Sequence, residues 1–575
     1  MNKKIPFLLI FALIAVFIVS ACSPNPESNL TQATADESNK GQVQIDLEPI
    51  ATSLPLATQV QKADTETSEQ EVEALLDGGA ANSGVIGIVA PASVADRSGG
   101  SSYTGSTFDN VETDVVIDID VDEPIDGEGT FADYGVNPFV NTADDHLSTF
   151  AMDVDTASFT LARSYLQNYN QLPPAEAIRS EEFINYFDMD YQAPTDDAFA
   201  IYLDAAPSIF GEEGQIMMRV GIQGKEVAAE DRQSALLIFV IDTSGSMDAP
   251  NRLAMAKESL KILVDELRED DRIGIVIYSD IVTAVLEPTP ASDKDTIIEA
   301  IDSLHSSGST YAEAGLRLGY EMAIANMQSD VITRVILLSD GVANVGETGP
   351  EGILNRVRNG VEEGVTLSTI GFGMGTYNDV MMEQLANDGN GNYFYIDEIR
   401  EARRIFSTAL TSTLQVIGYD AKIQVDFDPE LVDSYRLIGY ENRAVADVDF
   451  RNDSVDAGEV GAGHNVTALY EVVLKPDAKG KFATAAIRYQ DADTREVVEL
   501  SSNISTDAIL DDLSDASASF RLAVGLAEFS ELLRGSYWAE DGDYASILDL
   551  LSPMVKFDAN AAELYDLVKI ADDLS

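Results

Sequence analysis

Three oxygen-bearing side chains stand at alternate positions in Asp242-Thr243-Ser244-Gly245-Ser246-Met247. On a tight loop such side chains can converge on one point, and Gly245 permits the bend between the serines. Two more oxygen ligands occur at comparable places. Thr310 lies in Gly308-Ser309-Thr310, just before an expected helix, and Asp340 follows the apolar run that ends in Leu337-Leu338-Ser339. Carboxylate and hydroxyl oxygens together suit a hard divalent cation, Mg²⁺ first, with Mn²⁺ or Ca²⁺ as alternatives. Each fragment alone is common; the three in this order form a specific pattern.

Other chemistries find less support. The three histidines (His146, His305, His464) and the single cysteine, Cys22, are too few for a zinc site. No G-x-S-x-G elbow makes Ser339 a nucleophile, and no G-x-x-x-x-G-K-[ST] loop offers a nucleotide site. His464 sits in a Gly-rich turn and is expected to bond backbone. Asp153 and Asp155 read as a helix N-cap and its solvated neighbours rather than as a second cation site. Tyr537 and Trp538 read as core. Asp118-x-Asp120-x-Asp122 has Glu123 where an EF-hand loop needs Gly, so it reads as acidic tether.

The elements that must hold the oxygen ligands are visible in the hydrophobic pattern. Ala235–Ile241 is an unbroken apolar run, as a strand buried on both faces should be. Leu253, Ala256, Leu260, Leu263 and Leu267 mark a helix after it. Strands follow at 272–278, 331–338, 366–372 and 393–396, and helices near 294–304, 311–327, 378–386 and 399–413. Strands separated by helices imply an α/β fold with a mostly parallel sheet covered on both faces. In such sheets ligands sit beyond the carboxyl ends of strands, where Asp242 and Asp340 fall.

On either side the pattern changes. From about Pro138 two helices are expected: one carries Phe159, Ala162 and Leu166, and the next carries Ile178, Phe183, Ile184 and Phe187. A strand pair follows at 198–203 and 215–222. After 416 the chain turns β-rich, with strands at 421–427, 435–440, 466–474, 482–489 and 497–504. It then ends in helices, one placing Phe520, Ala523, Leu526, Ala527 and Leu533 on one face.

The charge is extreme: 99 Asp plus Glu against 36 Lys plus Arg, a net −63 over 575 residues. Such a surface repels nucleic acid and gains nothing from anionic headgroups. Acid concentrates early, with 24 acidic and three basic residues over 23–150. That composition cannot offset its ordering entropy, so 22–135 reads as a tether, with an r.m.s. span of about 60 Å. Before it, Lys3 and Lys4 precede the apolar run Phe7 to Val19, the plan of a signal peptide over 1–21. Val19-Ser20-Ala21-Cys22 resembles a bacterial lipobox. The resemblance implies that Cys22 is lipidated and the remaining chain extracytoplasmic, held to the membrane by its lipid alone. Ser23 carries no Asp retention signal, which favours the outer membrane if the cell has two.

The set Asp242, Ser244, Ser246, Thr310 and Asp340 is similar to the metal-ion-dependent adhesion site of von Willebrand factor A domains. The resemblance covers 233–415 and implies a Rossmann-like fold. In it Ser244, Ser246 and Thr310 ligate the ion directly, while Asp242 and Asp340 act directly or through water. It also implies an open metal position for a partner's carboxylate. Neutral hydroxyls would leave the cation electrophilic toward such a group. The flanks over 136–232 and 416–575, including Glu182-x-Ile184-Asn185-Tyr186-Phe187 and Tyr435-Arg436-Leu437-Ile438-Gly439-Tyr440, resemble those of a group of bacterial A-domain lipoproteins.

Three functional readings follow. The first is a non-enzymatic envelope protein that binds an acidic protein partner through the cation. The second is an envelope assembly scaffold whose A domain docks on its own flanks. The third, a metal-assisted hydrolase, lacks a placed general base.

Overall fold

The computed structural model describes residues 129–575 apart from 212–213, 342–348, 376 and 456. The signal segment, Cys22, the acidic triplet at 118–122 and most of the expected tether lie outside the described residues. The tether reading runs to 135, but the structured body begins earlier: the Thr130 amide donates to the Tyr377 carbonyl at 2.7 Å. Among the described residues no helix is long and apolar enough to cross a membrane.

The middle of the chain forms a six-stranded sheet. Its spatial order is Tyr393–Ile396, Thr366–Phe372, Ile332–Ser339, Ala235–Asp242, Arg272–Tyr278, Val282–Pro290. All pairings are parallel except the last, an antiparallel edge. The apolar run 235–241 is central and feeds both faces by simple alternation. Ala235, Leu237, Phe239 and Ile241 pack under the helices Met255–Glu266 and Lys294–Asp302. Leu236, Ile238 and Val240 pack under Ala312–Asn326, Gly349–Glu362 and Asp379–Asp388. From this strand the chain first crosses to one side and then returns to the other. The carboxyl ends of 235–242 and 332–339 therefore border the crevice where the strand order reverses.

Two elements are additions to the sequence reading. One is the edge strand Val282–Pro290, and the other is the helix Gly349–Glu362. The rest of the series agrees with it in order and type.

The flanks join each other across the A domain. Gln215–Gly224 pairs with Phe199–Pro207 on one side and with Asn465–Leu474 on the other. Leu147–Ala151 pairs with Val416–Phe427. The sequence reading divides the flanks into separate stretches, whereas the pairing builds two antiparallel five-stranded sheets from both. These sheets share one core: Met218, Val220, Ile222, Tyr435 and Tyr470 of the first meet Ile423, Val425, Phe427 and Ile487 of the second. The outer side of the first sheet, through Met217, Ile438 and Leu469, is covered by the terminal helices Ala518–Leu533, Tyr544–Leu551 and Ala559–Leu574.

One helix belongs to both bodies. In Ala157–Tyr169, Phe159, Ala162 and Leu166 sit in the flank core with Phe183 and Phe520. Ala157, Leu161 and Tyr165 sit in the A-domain core with Leu236, Ile238 and Val240. A helix apolar on both sides has to be buried between two layers. Buried ion pairs reinforce it. Arg163, with no side-chain exposure, bonds Asp397 through two nitrogens at 2.7 Å each. It also reaches Glu563 of the last helix at 2.8 Å. Arg179 of the N-terminal flank bonds Glu182 and, at 2.7 Å, Asp379 of the A domain.

Two surface readings are corrected. Tyr537 is 68 % and Trp538 38 % exposed, so neither is core. They lie in a short turn after the helix 518–533, where the Trp538 indole donates to the Asn137 carbonyl at 3.1 Å and meets Phe139 edge-on. Asp153 and Asp155 are neither solvated nor the cap of helix 157–169. Arg443 bonds both, at 2.9 and 3.0 Å, and Asp155 also accepts the Tyr393 amide at 2.8 Å.

Candidate cation site

Asp242 is the last residue of the central strand, where the backbone leaves the sheet and its carboxylate stays buried. Its Oδ1 accepts the Ser244 amide at 2.8 Å, an Asx-type turn that folds the loop back over the strand end. Its Oδ2 accepts the Ser339 hydroxyl at 3.1 Å, and that hydroxyl in turn accepts the Gly341 amide at 3.2 Å. Ser339 therefore acts as a clamp on Asp242 across two neighbouring strands.

The turn presents the serines together. The Ser244 and Ser246 hydroxyls share a hydrogen bond, with their oxygens 2.9 Å apart. Ligands at adjacent corners of an octahedron of about 2.0–2.1 Å radius are separated by about 2.9 Å, so the pair matches one edge of a Mg²⁺ shell. Ser244 is buried, Ser246 half-buried, and Gly245 and Asp248 are exposed, so the loop opens to solvent on one side.

Backbone bonds strap the Thr310 loop onto this turn. The Gly245 amide donates to the Gly308 carbonyl at 3.0 Å and the Ser307 amide to the Thr243 carbonyl at 2.7 Å. Gly308 has φ +77°, and a β-carbon there would lie 1.3 Å from an Asp280 carboxylate oxygen, so only glycine allows the strap. Thr310 itself is 7 % exposed. Asp340 is buried beside the turn, and Arg252 bonds both its Oδ2, at 2.8 Å, and the Ser246 carbonyl, at 2.7 Å.

The electrostatics fit a cation. Burial pushes the Asp242 carboxyl up to about 6; the Ser244 bonds oppose that shift and the Asp340 charge adds to it. Burial, and then the Asp242 charge, hold the Tyr278 phenol well above its ordinary range. Two buried carboxylates this close gain from a divalent ion between them. Among the described residues no group of three His, Cys, Asp or Glu gathers, so any ion here would depend on hydroxyls as well.

Four of the five sequence-derived oxygen ligands are thus linked by named bonds around one turn; Thr310 arrives through its loop, and Cys22 lies outside the described residues. Ser339 and Arg252 are additions. The sequence hint for Ser339 was its place between strand and Asp340. Arg252 had none beyond its nearness to the loop. His464 does bond backbone, accepting the Gly461 amide at 3.4 Å.

Comparison with known proteins agrees with this architecture. Residues 237–408 match the von Willebrand factor type A domain model, and 126–218 match one described as von Willebrand factor. Residues 412–481 and 475–574 match the model "Uncharacterized protein YfbK, C-terminal". Over 480 residues the chain is 35 % identical to YfbK of Escherichia coli K12, covering 78 % of this chain and 82 % of that protein. The chain belongs to the YfbK family. It carries a von Willebrand A domain between flanks of the YfbK type. It is also 30 % identical over 216 residues to protein sll0103 of Synechocystis, covering 38 % of this chain and half of that one. Among solved structures, a von Willebrand factor type A protein from Catenulispora acidiphila is similar at 16 % identity and a TM-score of 0.39. It covers 67 % of this chain and 89 % of that one.

Proposed function

We propose that this YfbK-family protein is a lipid-anchored envelope protein that grips a carboxylate-bearing protein partner through a divalent cation. Asp242, Ser244, Ser246, Thr310 and Asp340 would hold the ion, Mg²⁺ being the best match. The observation that carries the reading is the hydrogen-bonded pair of serine hydroxyls 2.9 Å apart beside two buried carboxylates, with Ser246 half-buried and Gly245 and Asp248 exposed. Three of the five groups are neutral hydroxyls, and an external carboxylate is the natural group to complete the ion's shell. Binding, not turnover, is what such a ligand set serves.

The flanks support an external partner. They hold the A domain through helix 157–169 on the sheet face and through Arg179 at Asp379, and they leave Gly245 and Asp248 exposed. The scaffold reading thus has a specific observation in its favour, the shared helix, and it is compatible with an open site.

A cross-linked pulldown from envelope extract tests the reading. Capture of a partner should need Mg²⁺ and should be lost with EDTA and in Asp242→Ala, while circular dichroism shows the variant folded. Capture that survives both treatments overturns it. For the anchor, Cys22→Ser should move the protein from the membrane to the soluble fraction; unchanged fractionation contradicts lipidation.

A further inference from the structure

Arg252 is the one basic side chain tied by hydrogen bonds into this turn among the described residues, and it binds the loops around it. Its Nη1 bonds Asp340 Oδ2 at 2.8 Å and the Ser246 carbonyl at 2.7 Å, and its Nη2 bonds the Met374 carbonyl at 2.6 Å. The side chain is 18 % exposed. It lies flat against Gly373, whose φ is +70° and where a β-carbon would come 2.4 Å from Nε. The chain bends to deliver it: Pro250 to Ala254 form a wide turn, with Asn251 out of helical conformation, before the regular helix at Met255.

A guanidinium in this position is at odds with simple cation binding. The two carboxylates alone would neutralise a divalent ion. With Arg252 beside Asp340 the unloaded site carries a formal −1, and the loaded site +1. The arginine therefore repels the metal somewhat and leaves the loaded site net positive toward an incoming anion.

We propose that Arg252 is a positioning and charge-setting residue that trades cation affinity for grip on the partner's carboxylate. This rests on the cation reading above. The class of partner follows: an isolated carboxylate presented on a neutral or basic surface. Asp248 and Asp280 are exposed at the rim, and a densely acidic segment would meet both.

The test uses the full chain and two probes. Mg²⁺ is titrated by calorimetry. Acetate is titrated against the Mn²⁺-loaded protein, with water-proton relaxation reporting displacement of metal-bound water. Arg252→Gln should bind Mg²⁺ roughly fivefold more tightly and acetate roughly fivefold more weakly. Arg252→Lys, which keeps the charge but not the fork, should stay near wild type in both. A purely structural role would weaken both ligands together in Arg252→Gln, and that result overturns the proposal. So does equal behaviour of the Gln and Lys variants. If the wild type binds Mg²⁺ and Asp242→Ala does not, the cation reading stands whatever Arg252 does. If neither binds it, both readings fall.

Discussion

At the residue scale the site depends on oxygens held by short local bonds. Ser339 donates to Asp242 Oδ2 across the strand gap. Ser339→Ala should leave that buried carboxylate oxygen without its donor, weakening Mg²⁺ about tenfold while costing about 1–2 kcal/mol of stability. Calorimetric titration and urea unfolding read the two effects. Away from the site, Glu181 gives a pH prediction. It is 1 % exposed; its Oε2 accepts the Tyr440 amide at 3.0 Å, and its Oε1 has no hydrogen-bond partner. Burial, then the charges of Glu441 and Asp153, push its carboxyl up to about 8 from 4.5. A carboxyl whose folded pKa is raised favours the fold while protonated. Its contribution is complete below the unfolded pKa and is lost as pH rises through about 8. Stability should fall on the order of 2–4 kcal/mol from pH 4.5 to 8 on this account. Glu181→Gln should flatten that slope, and an unchanged slope in urea midpoints would speak against a protonated Glu181.

At the element scale the helix 157–169 does the most to join the two bodies. Arg163→Ala leaves Asp397 buried without its bidentate partner and should cost about 3–5 kcal/mol in denaturant unfolding. A loss below about 1 kcal/mol would mean that the apolar faces suffice alone. The sequence pattern showed one apolar stripe on this helix, Phe159, Ala162 and Leu166, but not that Leu161 and Tyr165 serve a second core. The proposed oxygen ligands were legible because loop chemistry and the ends of apolar runs coincide at 242 and 340. The edge strand Val282–Pro290 was not, because it carries two prolines, which an edge tolerates and which mask a strand pattern. The helix Gly349–Glu362 was hidden by Gly352 and Gly360 around Ile353, Leu354 and Val357. Gly360 is needed there because a β-carbon would come 2.1 Å from the Tyr320 ring.

At the scale of the whole molecule, the A domain is inserted between two halves of a sandwich that exists only when both halves pair. No local signal could reveal that Gln215–Gly224 bonds to Asn465–Leu474, since each strand reads the same whatever its partner. The pairing and the shared helix imply that the described body unfolds as a unit with the proposed cation site. Differential scanning calorimetry of the full chain, with and without Mg²⁺, tests this together with the site. We expect one cooperative transition that rises by about 3 °C at a hundredfold excess of Mg²⁺ over its Kd, and that does not move in Asp242→Ala. Two separate transitions, or a wild-type transition that saturating Mg²⁺ leaves in place, would contradict the account.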